Sequence, residues 1–129
     1  MPYTNAGINY MHEVIVGKRV PQTLILRLFI NDVVPNAGTE RLDLVEAEGY
    51  GYMPVNLDPA KWITSGGVST YPQVIMSFSG PLGQIFGCYL TVSGPGTVLW
   101  AGRFENPYIV YNAGDDIKLT PIIPLGPQA

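Results

Sequence analysis

The run Q84-I-F-G-C-Y-L-T-V92 decides the fold. At the two-residue period of a strand it places Phe86, Cys88, Leu90 and Val92 on one face and Ile85, Gly87, Tyr89 and Thr91 on the other. Both faces are mostly apolar. The segment therefore reads as a central strand, buried on one side by core and on the other by packing or by a partner. The short loop S93-G-P-G96 then leads into T97-V-L-W-A-G-R-F104, and two β runs joined so closely make a hairpin. Upstream, T23-L-I-L-R-L-F-I30 alternates again. Leu24, Leu26, Leu28 and Ile30 share one face, while Arg27 keeps the other only partly buried.

Working outward, N31-D-V-V-P-N-A-G-T39 is dense in turn formers and reads as a loop. Residues 40 to 48 are the one stretch with helical spacing, one or two turns capped by Thr39, although Leu42 stands where a capping box needs an acid. G49-Y-G-Y-M-P-V-N-L57 suits an edge strand interrupted at Pro54, and K61-W-I-T64 follows. In Y71-P-Q-V-I-M-S-F78, Val74, Met76 and Phe78 face one way. Glu105-Asn106-Pro107 separates residues 97–104 from Y108-I-V-Y111, and N112-A-G-D115 is a further turn. In D116-I-K-L-T-P-I-I-P124 a central strand cannot carry Pro121, so the segment is an edge or changes partners after Thr120. About eight short strands divided by turns imply an all-β chain, a jelly-roll or related antiparallel β-sandwich. The expected core is Leu26, Leu28, Met76, Phe86, Cys88, Leu90, Leu99, Ile117 and Leu119.

Residues 21–129 form the sandwich domain in this reading, and residues 1–20 stand apart as an N-terminal arm. The arm holds one short apolar run, Val14-Ile15-Val16, and no adjacent hairpin partner, so strand addition to a neighbour is expected to order it. Ile8, Tyr10, His12, Glu13, Val14 and Val16 are its candidate contact residues, joined by the aromatic candidates Trp62 and Tyr71.

Seven basic and ten acidic residues give the 129-residue chain a net charge of −3. The basic residues are scattered singly except Lys18-Arg19, which leaves no stripe for nucleic acid. From Trp62 through Gly102, 41 residues, there is no Asp, Glu, Lys, Arg or His. Free-standing small domains carry roughly 25 to 35% charged residues on their surfaces, so this segment either forms central strands joined by Ser, Thr, Gly and Pro turns or has surfaces covered by copies of itself or by another protein. A single cysteine excludes an intrachain disulfide. No run spans a bilayer and the opening lacks the pattern of a signal peptide, so no membrane partner is expected and the chain reads as soluble and unexported.

The chemistry-bearing residues are few. His12 is the only imidazole and sits in the arm, a poor place for a base that needs a rigid surround. Cys88 lies on the Phe86/Leu90 face, where a buried thiol is inert. Asp115 and Asp116 point to opposite faces as strand neighbours, and the turn before them suits an Asp that bonds backbone amides. Asp43, Glu46 and Glu48 read as a solvated face or, less simply, a weak calcium site. Phosphate loops, dinucleotide fingerprints and metalloprotease or hydrolase motifs are absent. No catalytic residue, metal ligand or cofactor is expected, and the chain reads as a non-enzyme. The aromatic set Tyr50, Tyr52, Trp62, Tyr71, Tyr89, Trp100, Tyr108 and Tyr111 divides between core and either a sugar platform or interface hot spots, with Trp62 the foremost surface candidate.

Several segments together resemble a known group. L28-F-I-N-D-V-V-P35, G51-Y-M-P-V-N-L57 before a Trp, I85-F-G-C-Y-L-T-V92, a strand ending A101-G-R-F104 and A113-G-D-D-I-K-L-T-P121 are similar to small structural proteins of tailed bacteriophages, over roughly Leu24 to Leu125. The chain also resembles the jelly-roll cement, or decoration, proteins of phage heads. That resemblance implies a virion component on the outer capsid surface, present in the host cytoplasm during assembly. Its partners would be the major capsid protein and itself, as a dimer or trimer. A tail or baseplate protein and a carbohydrate-binding module are the alternatives.

Overall fold

The computed structural model describes residues 3–94 and 96–124. Among the described residues, one α-helix, α1 (Asn5–Ile15), precedes nine strands: β1 (Leu24–Phe29), β2 (Val55–Leu57), β3 (Ile63–Ser65), β4 (Val68–Thr70), β5 (Val74–Ser77), β6 (Gly83–Val92), β7 (Val98–Val110), β8 (Asp116–Leu119) and β9 (Ile122–Pro124). All strand pairs are antiparallel, and the chain is an all-β sandwich. One layer has the order β2-β1-β6-β7, and the other is made of β3-β4-β9 and β5-β8. The expected hairpin joins β6 to β7, with Cys88 opposite Gly102 and Leu90 opposite Trp100. β6 is central, as its two apolar faces require.

The second layer breaks where its prolines fall. Between the pairs Thr70↔Ile122 and Val74↔Leu119 one side advances four residues and the other three. Pro72 and Pro121 lie in that break, and neither has an N–H to give a ladder. Tyr71 N–H still reaches Pro121 O at 2.9 Å across it. The last segment thus changes partners after Thr120, from β5 to β4.

The main core lies between the layers and includes Leu26, Leu28, Met76, Cys88, Leu90, Leu99 and Ile117. Phe86 departs from expectation. β6 and β7 lose register between Ile85 and Gly87, so the alternation changes phase there: Ile85 joins the main core, and Phe86 moves to the opposite face beside Tyr89 and Phe29. Leu119, at the proline break, is only half-buried. The opposite face of β6 is covered by the chain's own 30–48 segment, with Leu44 buried against Phe29, Tyr89 and Ala101. Glu105-Asn106-Pro107 does not divide two strands. It is an irregularity inside β7, which advances five residues from Arg103 to Tyr108 while β6 moves two from Gly87 to Ile85.

Residues 40 to 48 hold a single 3-10 turn, Arg41–Asp43, capped by Glu40 rather than Thr39. A capping box is present after all, with Asp43 Oδ2 accepting from Glu40 N–H at 2.8 Å.

The larger correction concerns the arm. Tyr3, Gly7, Tyr10, Met11 and Val14 recur every three or four residues, the spacing of a helix with one apolar face. α1 docks that face on β7, with Tyr10 buried and Met11 and Val14 packed against the core. An 11-residue helix is marginal alone, so this packing is what holds it. Between the pairs Leu90↔Trp100 and Thr91↔Val98, Leu99 is an extra residue on β7. Its carbonyl is left out of the ladder and accepts Thr4 N–H at 3.2 Å. Thr4 Oγ1 accepts from Gly7 N–H at 2.8 Å as the helix cap and donates to Val98 O. Thr4→Val keeps the shape and removes both hydroxyl bonds. We expect a loss of about 1 to 2 kcal/mol in denaturant unfolding, with a fall in helical dichroism. An unchanged midpoint would show that α1 stands without this cap.

Candidate contact surfaces

Two of the residues expected at an interface lie inside the fold. Tyr10 is 8% exposed, and its hydroxyl accepts Gln22 N–H at 2.8 Å. Tyr71 is 6% exposed and accepts Asp58 N–H at 3.0 Å. Trp62 is half-buried, packed edge-on against Tyr71 at 5.1 Å between ring centroids, so it braces the core more than it faces outward. Ile8, His12 and Val16 are exposed, while Val14 is half-buried. Glu13, also half-buried, pairs with Arg19 at 3.1 Å. The helix thus brings the outward members of this set onto one side and turns Tyr10 inward.

A second surface is the layer β3-β4-β9, whose nine residues carry no charge. Ile63, Thr70 and Ile122 lie in one cross-strand row, with Ser65, Val68 and Pro124 in another on the same face. β3 is the edge. All three of its residues are exposed, and Ile63 is 71% exposed. Gly66 and Gly67 make the hairpin turn to β4 with φ of 60° and 78°. In a two-residue hairpin the residues flanking the turn exchange both hydrogen bonds, so Ser65 and Ile63 direct theirs to β4. Thr64 presents its backbone N–H and C=O outward. Edge strands are ordinarily blunted by charge, proline or a bulge, and β3 has none of these.

The reactive groups are engaged or enclosed. Burial pushes the Cys88 thiol up to about 12, which keeps it protonated and inert. Glu46 accepts from Arg27 at 2.9 and 3.1 Å and from Tyr52 Oη at 2.7 Å, a cluster that fastens residues 46–52 to β1. Asp115 Oδ2 accepts from the backbone N–H groups of Tyr111 and Asn112, each at 2.9 Å, the turn role its sequence suggests. Asp43, Glu46 and Glu48 do not converge, and no cluster of three or more His, Cys, Asp or Glu forms a metal site among the described residues. Comparison with family models, curated proteins and solved structures finds no match. No helix among the described residues is long and apolar enough to cross a membrane.

Two apolar hollows flank β9. One, of about 270 Å³, lies between the layers and is lined by Leu26, Cys88, Trp100 and the Leu119–Ile122 stretch. The other, of about 260 Å³, lies between α1 and β9, with Tyr10, Met11, Val14, Ile15 and Pro21 in its walls. The second is not legible in the sequence, because it exists only once the arm is helical. The β3 edge was partly legible in the charge gap that begins at Trp62.

Proposed function

We propose that the protein is a structural component of a tailed-phage virion, a cement protein that binds the outside of the head across neighbouring major capsid protein subunits. The observation that carries this reading is the uncharged layer β3-β4-β9 with its unblunted edge. An exposed edge of this kind accepts a strand from another chain, with main-chain hydrogen bonds supplying affinity and Ile63 and Ile122 supplying apolar contact. Many such contacts, repeated over a lattice, bind strongly even where each is weak. The phage-like segments quoted above support the same reading.

Heads lacking the protein, when incubated with it, should bind it and gain resistance to heating and to low salt. Thr64→Pro removes the outward N–H of β3 and keeps its backbone bonds to β4, losing only the exposed Thr64 Oγ1–Ser69 Oγ bond at 2.7 Å, so the variant should melt close to the parent but bind heads roughly tenfold more weakly. Equal resistance of bare and fully occupied heads would remove the cement role. Undiminished binding by Thr64→Pro would move the contact away from β3. Density in a map of the whole virion on the tail or baseplate alone would reassign the protein there.

The carbohydrate-binding reading has one observation in its favour. Tyr50 and Tyr111 are exposed at the same end of the sandwich, where Ser79 N–H bonds Tyr50 O and Gly114 N–H bonds Phe78 O, each at 2.8 Å. Protection of those tyrosine signals by host-surface polysaccharide in a nuclear magnetic resonance titration would favour it.

A further inference from the structure

We propose that the hollow between the layers is a binding site for a small uncharged molecule with an apolar body and one acceptor oxygen, such as a ketone, aldehyde or ester. The hollow lies at the proline break, where the second layer has no ladder between the pairs Thr70↔Ile122 and Val74↔Leu119. From the first layer it is lined by Leu26, Cys88 and Trp100, all buried, and from the broken layer by residues 119–122 and Pro124. Thr120, Ile122 and Pro124 are exposed, so the hollow reaches the surface beside β9.

Trp100 sets what the occupant must offer. Its side chain is 3% exposed, and its Nε1–H is the one buried side-chain nitrogen or oxygen with no hydrogen-bond partner among the described residues. A buried indole N–H ordinarily meets an acceptor, and it can only donate. The other walls set the rest of the molecule. None of the lining residues is charged, so an ion would lie there unpaired. A water would meet the indole and leave Leu26, Leu119, Pro121 and Ile122 wet, whereas an organic molecule with one oxygen answers both. An apolar cavity of about 150 Å³ holds benzene, so one of about 270 Å³ takes a body of roughly ten non-hydrogen atoms. The site uses no residue of β3, and the inference does not rest on head binding.

Cyclohexanone is the probe, with cyclohexene as a hydrocarbon of similar shape and cyclohexanecarboxylate as an anion. In proton–nitrogen correlation spectra of the full chain, Trp62→Phe tells the two indole signals apart. Cyclohexanone should move the Trp100 indole proton downfield, saturating with a dissociation constant on the order of 1 mM or tighter, and leave the Trp62 indole in place. Cyclohexene should shift the Leu26 and Leu119 methyl signals without that downfield move, since it has no oxygen to accept the bond. Cyclohexanecarboxylate should bind roughly tenfold more weakly than the ketone or worse. Cys88→Met lengthens a side chain of the wall and should remove most of the ketone binding. The absence of a saturable shift with cyclohexanone overturns the inference. So does saturation that leaves the Trp100 indole proton where it was, carboxylate binding as tight as the ketone's, or a folded Cys88→Met protein that binds the ketone like the parent.

Discussion

Gly87→Ala should destabilise the protein by about 3 kcal/mol, lowering its melting temperature by roughly 10 °C, a larger effect than any surface change. A Cβ at this position would lie 2.2 Å from Gly102 O and 2.4 Å from Phe29 Cζ. The first neighbour is backbone of the paired strand and the second a fully buried ring, so neither can yield without moving the central ladder. Gly7 makes a matching approach in α1, where an added Cβ would lie 2.2 Å from Leu99 O. Its outcome should differ in kind. Gly7→Ala lifts the helix from β7 and leaves the sandwich folded, because α1 contributes no strand to either layer. Thermal melting followed at once by far-ultraviolet dichroism and by tryptophan fluorescence separates the two, since Trp100 lies under β7's contact with the arm. A Gly87→Ala protein that melts with the parent would show that the strands part more easily at this point than their packing implies.

Alkali should unfold the protein well before its arginines lose charge. Burial holds the Cys88 thiol up to about 12 and the Tyr89 phenol up to about 12, the latter with help from the nearby Glu46 carboxylate. Tyr52 is raised further, by burial above all and by its bond to Glu46. In the unfolded chain these groups ionise from about pH 9 for the thiol and about pH 10 for the phenols. Their folded pKa values are raised, so the stability they contribute is complete below pH 9 and is lost as pH climbs toward the folded values. Each group removes about 1.4 kcal/mol per pH unit inside its window. By pH 11, Cys88 and Tyr89 together cost on the order of 4 kcal/mol, a large part of the stability of a small domain. Denaturant midpoints should hold steady to pH 9 and then fall steeply. Cys88→Val should delay the onset to about pH 10, where the phenols begin. A flat profile to pH 11.5 would contradict the burial described for these side chains.

The sandwich was legible in the sequence because its strands announce themselves at a period of two, and β1, β5 and β6 lie where that period put them. The partner change at Pro121 was legible for the same reason that it happens, the absence of an N–H. Two features were hidden by long-range contacts. Phe86 left the core because the β6/β7 ladder slips beside Gly87, and only the pairing partner reveals such a slip. α1 was hidden because Gly7 weakens a helix in isolation, whereas here its missing side chain is what lets the helix touch Leu99. An extended arm would leave Tyr10 outward, whereas the helix turns it into the core and forms the hollow beside Ile15. Nothing local in the sequence tells Tyr71, a core tyrosine with a bonded hydroxyl, from one that meets a partner.

The docking of α1 on β7 sets a timetable for synthesis. Thr4 and the Leu99 carbonyl that receives it are separated by 95 residues. At a translation rate of roughly 10 residues per second, the helix leaves the ribosome about ten seconds before its seat exists. Throughout that interval Tyr10, Met11 and Val14 have no surface of their own chain to cover them, and an 11-residue helix does not persist without one. The segment made earlier is therefore placed later, after the β6/β7 hairpin has closed. Any factor that meets the nascent chain in that interval meets this segment unstructured and apolar, and the folded protein withdraws Tyr10, Met11 and Val14 from view.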